Sequence, residues 1–205
     1  MYSPPYNRVE DRAEVLAFMR AHNFALLVTG TDGELHASHL PVMLRERGEQ
    51  LVIDVHMARA NPQWLQFFDE DVMVVFSGPH AYVSPRWYAQ KDRVPTWNYA
   101  AVHAYGKVKV VDERDAKHAA QAALVCRHDP DWEAGFAALT PKYLDDMLGA
   151  IVNFEIEVSR LETRWKLSQN RGRREQERII TALENSTDPT ERALAELTRK
   201  HLASE

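Results

Sequence analysis

Between residues 24 and 111 the chain is a succession of short apolar or alternating runs joined by turn residues, and most of the connections have no room for a helix. That spacing dictates antiparallel neighbours, because a parallel pair needs a crossover of a dozen or more residues. The runs cover residues 24–29, 35–44, 51–55, 72–76, 81–84, 96–105 and 107–111, and Gly30-Thr31-Asp32-Gly33 supplies the first turn. A further run is the clearest of all. Val152, Phe154, Ile156 and Val158 alternate with Asn153, Glu155, Glu157 and Ser159, which buries one face and wets the other. The pattern predicts a mainly β chain with helices, built as a small antiparallel barrel that residues 152–158 close or edge.

Helical segments frame these strands. Residues 9–22 place Val15, Leu16, Phe18 and Met19 on one side, residues 113–126 are rich in alanine, and residues 141–148 follow a proline start. Beyond Arg171 the chain is charged and helical in composition, with a break at Asn185-Ser186-Thr187-Asp188-Pro189. We therefore expect a barrel domain over residues 1–171 and a helical C-terminal extension over residues 172–205.

Composition narrows the function classes. A net charge of −5 excludes a globally basic nucleic-acid coat, and the one concentrated basic run, Arg171, Arg173, Arg174 and Arg178, is interrupted by Glu175 and Glu177. DNA binding is expected to be weak or dependent on a partner. No apolar stretch approaches the ~20 residues needed to cross a bilayer, and the N-terminus lacks the pattern of a secretion signal, so the expected location is cytoplasmic. Cys126 is the single cysteine, which rules out an intrachain disulfide. His36 and His39 sit three apart on a strand, where an odd spacing sends the rings to opposite faces, so no metal site is expected.

Three segments carry polar chemistry. Residues 55–68 leave a strand and enter a helix with Asn61 as N-cap and Pro62 in the first turn, just after His56 and Arg59. Free backbone donors and a guanidinium could converge there on a phosphate, although an ordinary capped helix beside a surface arginine has the same pattern. Residues 78–106 gather Tyr82, Trp87, Tyr88, Trp97, Tyr99 and Tyr105, whose flat apolar bodies and polar handles suit a planar heteroaromatic ligand, a subunit interface or a plain sheet core. Lys166 to Arg171 concentrates amide, hydroxyl and guanidinium groups, as the edge of a heterocycle would need and as a polar turn would also show.

The segments HMARANPQW, GPHAYVSPRWY, VPTWNYAAVHAYG and KLSQNR, in that order, resemble the PaiB family of FMN-binding negative transcriptional regulators. The resemblance runs from MYSPPYN at the N-terminus through Arg171. It implies a split β-barrel of the kind found in flavin proteins related to pyridoxamine-phosphate oxidase, assembled as a homodimer with FMN at the subunit interface. Carried onto this chain, it makes His56, Ala58, Arg59, Asn61 and Gln63 candidates for the phosphate and ribityl end of FMN. Trp97 and Tyr99 become interface or ring-facing residues, and Gln169 and Asn170 lie near the ring or the partner subunit. The arginine and lysine pattern with which the oxidases hold their phosphates is not evident, so their activity is not implied. The expected function is a homodimeric FMN-binding repressor. The alternatives are a flavin-dependent oxidoreductase acting on a small substrate, with residues 85–95 as a lid, and a haem-binding relative. No nucleophile, base and acid set can be named, so catalytic residues stay unassigned.

Overall fold

Six strands and six helices follow from these patterns in a computed structural model that describes residues 1–31, 33–67, 71–88 and 92–204. The strands are β1 (Phe24–Thr31), β2 (Glu34–Arg47), β3 (Gln50–Ala58), β4 (Val72–Val83), β5 (Thr96–Val110) and β6 (Ile151–Lys166). They form a closed antiparallel barrel in the order β1-β2-β3-β6-β5-β4. The helices are α1 (Arg12–Ala21), α2 (Arg114–His128), α3 (Glu133–Ala137), α4 (Pro141–Gly149), α5 (Arg173–Glu184) and α6 (Pro189–Ser204). Short 3-10 turns occupy Pro5–Asn7, Pro62–Gln66, Pro85–Trp87 and Pro130–Trp132.

Two sequence expectations are corrected by close backbone approaches. Residues 72–76 and 81–83 belong to one strand, β4, and residues 96–105 and 107–110 to another, β5. Gly78 and Gly106 fall where the expected runs break, yet each lies inside a strand. A Cβ on Gly78 would lie 2.5 Å from the Phe18 ring, and one on Gly106 would lie 2.2 Å from the Glu157 carbonyl oxygen. These glycines let another group come near; they do not break the chain. β6 likewise runs eight residues past the alternation that announced it, to Lys166. The helix expected after Asn61 is a 3-10 turn of five residues.

The chain divides into two compact units, and β4, β5 and β6 pass from one into the other. The first comprises Met1–Phe18, Ser77–His103 and Glu162–Glu205. Its core centres on Trp165, which meets Phe18 at 4.5 Å between ring centres. Gln176, Ile179, Ile180 and Leu183 form the buried stripe of α5, and α6 adds Leu194 and Ala195. That i, i+3, i+4, i+7 spacing is why the sequence is amphipathic here. The second unit comprises Met19–Phe76 and Ala104–Leu161, with Leu27, Ile53, Phe76, Phe154 and Ile156 buried at its centre. Each of these side chains contributes roughly 1.5–3 kcal/mol through burial.

Candidate functional site

In β3 the odd positions Leu51, Ile53, Val55 and Met57 are buried, so Asp54, His56 and Ala58 belong to the opposite face of the strand. Register with β6 pairs Asp54 with Glu155 and His56 with Asn153. α2 lies over this face and leaves a cavity of about 420 Å3, lined by His56 and Asn153, by apolar groups such as Met43, Phe154 and Leu124, and by helix alanines. Such a volume is that of a small-molecule site. Burial pushes the His56 imidazole below its ordinary pKa, which keeps it neutral at physiological pH. Asn153 is 5% exposed, and its Oδ1 has no hydrogen-bond partner among the described residues. A buried acceptor left unpaired costs free energy that a ligand donor would recover.

β3 ends beside Arg59, whose guanidinium is held from three sides. Nε donates to Gly149 O at 2.9 Å, and Nη2 donates to Asp112 Oδ1 at 2.7 Å and to Ile151 O at 3.1 Å. Nη1 makes no hydrogen bond among the described residues, so the fork is fixed with one edge free. Asp112 also accepts from Lys117 Nζ at 3.0 Å, and the buried Lys117 donates in addition to Leu148 O. The hydrogen bond from Lys117, followed by that from Arg59, holds the Asp112 carboxyl below its ordinary pKa.

Asn61 caps the 3-10 turn by accepting from Gln63 N at 3.0 Å, while its amide donates to Ser38 Oγ at 2.9 Å. Gln63 is 2% exposed and saturated: it accepts from Ser38 and donates to Leu27 O, Thr29 Oγ1 and His36 O. These two side chains brace the segment after Arg59. Ala58 is exposed at the strand end.

The other named residues belong to the first unit. Trp97 is 49% exposed and packs against His80 and Tyr82, with ring centres 5.8 and 6.3 Å away. Tyr99 lies under the Arg164 guanidinium at 5.4 Å. Gln169 is engaged in its own turn, accepting from Leu167 N and donating to Trp165 O, and Asn170 is exposed. Residues 85–87 of the expected lid form a 3-10 turn, and residues 89–91 lie outside those described.

The structure therefore brings His56, Ala58, Arg59, Asn61 and Gln63 together on one segment and adds Asn153, Asp112, Lys117 and Ser38, which sequence reasoning missed. Asn153 had a signal, its place on the polar face of the clearest strand, but that face, expected to be wet, is buried there beneath α2, and the pairing with His56 depends on register. The cavity lining fits a flavin ring, with apolar walls and with His56 and the unpaired Asn153 amide oxygen for its polar edge; Ala58, Arg59, Asn61 and Gln63 follow on the same segment but are not among the residues that line the cavity.

A family model described as "Putative FMN-binding domain" matches residues 1–160. A Bacillus subtilis relative named "Protease synthase and sporulation protein PAI 2" is 37% identical over 200 residues, covering 96% of each chain. Among solved structures, the FAD and haem binding protein of Mycobacterium smegmatis superposes with a TM-score of 0.61 over 78% of this chain and 73% of its own, at 16% identity. A flavocytochrome of Azotobacter vinelandii gives 0.59 over 78% and 69%, at 15% identity. At such identities the two structures support the split-barrel fold alone.

Proposed function

The chain belongs to the PaiB family of FMN-binding split-barrel proteins, and from that premise we propose that it is a homodimeric, FMN-dependent negative regulator of transcription. The observation that carries the flavin assignment is the α2-covered cavity, in which a neutral His56 and the unpaired Asn153 oxygen stand one strand end away from Arg59. Bound FMN supplies a ring that takes up and returns electrons, so its occupancy or redox state is the signal such a regulator would read. The protein's part is binding and orientation. Asn153 Oδ1 would offer an acceptor and His56 a hydrogen-bonding nitrogen to the polar edge of the ring, and Arg59 would hold the phosphate, its fork kept in place by Asp112.

Acting through a protein partner fits the chain better than direct operator binding, given its net charge of −5. Exposed Tyr82 and Trp97 are aromatic surface of the kind subunit interfaces bury, which supports the homodimer. Two measurements test the proposal. Light scattering at micromolar concentration should give twice the 23.5 kDa chain mass. In a strain lacking the gene, a defined set of transcripts should rise and fall again on complementation with the wild type, but not with a His56→Ala/Asn153→Ala double variant. A monomer at all concentrations refutes the dimer, and an unchanged transcript profile refutes the regulator.

A further inference from the structure

The first unit contains a separate concavity of about 530 Å3 between the Pro85–Trp87 turn and α5. Its α5 wall is one stripe. Arg174, Arg178, Thr181 and Asn185 follow one another at i, i+4, i+7 and i+11, so they share a helix face. Arg86 comes from the facing turn, and its guanidinium has only a 3.3 Å contact with Ser84 Oγ. Arg174 and Arg178 make no hydrogen bond or ion pair among the described residues. Glu177, the one carboxylate in the lining, is engaged by Arg173 at 3.2 Å.

Several exposed arginines elsewhere have partners: Arg8, Arg127 and Arg192 donate to backbone carbonyls. Arg45, Arg47, Arg114 and Arg199 all face carboxylates. In the groove three arginines share a lining whose one carboxylate, Glu177, is taken by Arg173, in a protein whose net charge is negative. Their mutual repulsion is relieved when an anion enters. Trp87, half-buried in the same lining, adds an aromatic face. Guanidiniums suit phosphate oxygens through paired N–H donors, and an indole suits a planar base, so the two together describe a nucleotide. Three cations match the charge of roughly −3 on a diphosphate better than the −1.5 to −2 of a single phosphate group. The volume lies in the range of small-molecule sites.

We propose that this groove is a second ligand site, for a nucleoside diphosphate, with the phosphates on Arg86, Arg174 and Arg178 and the base against Trp87. It is separate in residues from the cavity assigned to FMN and does not depend on that assignment. If both hold, the regulator reads a nucleotide as well as a flavin.

The test is calorimetric titration of the full chain with ADP, with and without saturating FMN, at low and physiological salt. Binding is expected in both conditions, weakening with salt. Arg174→Gln/Arg178→Gln should weaken ADP at least about tenfold while leaving adenosine unchanged, because only the phosphate contacts are lost. Trp87→Leu should weaken ADP and adenosine by the same factor. Both arginines are exposed and make no hydrogen bond or ion pair among the described residues, so the double variant should keep the wild-type circular dichroism and melting temperature. The proposal is overturned if ADP does not bind, if FMN displaces it from the same site, or if the double variant binds ADP as the wild type does. Loss of duplex DNA binding in the double variant, with no ADP binding by either protein, would assign the groove to a nucleic-acid backbone.

Discussion

Replacing Arg59 by alanine separates phosphate recognition from everything else the site does. The substitution removes hydrogen bonds to Asp112, Gly149 O and Ile151 O. The ion pair is 38% exposed on the arginine side and 51% on the aspartate side, so solvent screening limits it to roughly 0.2–1 kcal/mol. Two carbonyl contacts at about 0.5–1.5 kcal/mol each bring the expected loss of stability to about 1–4 kcal/mol. The ligand effect is distinct. A charge-assisted contact to the FMN phosphate is worth about 1.5–3 kcal/mol, a loss of roughly ten- to hundredfold in affinity. Riboflavin lacks the phosphate and should bind both proteins alike. Flavin fluorescence-quenching titrations of the two ligands against the two proteins give the comparison, with circular dichroism to confirm folding. Asp112→Asn tests the clamp: with the carboxylate that holds the Arg59 fork gone, FMN should weaken, less than in Arg59→Ala, while riboflavin binds as to the wild type. Equal weakening of FMN and riboflavin by Arg59→Ala, or no change in FMN, would refute the phosphate role and leave Arg59 as a clamp on the end of β3.

Other perturbations follow from the same geometry. The Asp112 carboxyl has a depressed pKa in the folded state, so its contribution is complete above its unfolded value and is lost as pH falls below about 4; acid unfolding monitored by tryptophan fluorescence should show a shallower low-pH limb in Asp112→Asn. Gly106→Ala would force a methyl against the Glu157 carbonyl between β5 and β6, and should cost about 1–3 kcal/mol or more in urea denaturation. Leu183→Ala should cost about 2–5 kcal/mol, because the side chain is fully buried under α5; a smaller loss would mean that residues 172–205 are only loosely attached to their unit.

The polar face of β6 shows where sequence reading succeeds and where it stops. Alternation at Val152, Phe154, Ile156 and Val158 identified the strand, since a period of two is a local property of the backbone. It did not identify Asn153 as a partner of His56, because that pairing links positions 97 apart through β3–β6 register. A shift of one residue would have sent Asn153 to the other face. The groove arginines tell the same story. The run from Arg171 to Arg178 was visible and read as a diluted helix face, but Glu177 is occupied by Arg173, and Arg86 joins from a segment 88 residues before Arg174.

The sequence by itself determined the antiparallel β class, the helices that frame it, the Asn61 cap and the segment that carries Arg59, because propensity, periodicity and capping act over a few neighbouring residues. Tertiary structure alone decided which polar groups are spent and which are free. Gln63 is consumed by four hydrogen bonds and Gln169 by its own turn, whereas Asn153 Oδ1 and Arg59 Nη1 keep their capacity. Whether a side chain is available to a ligand depends on the partners that distant segments bring to it, and no local pattern encodes those partners.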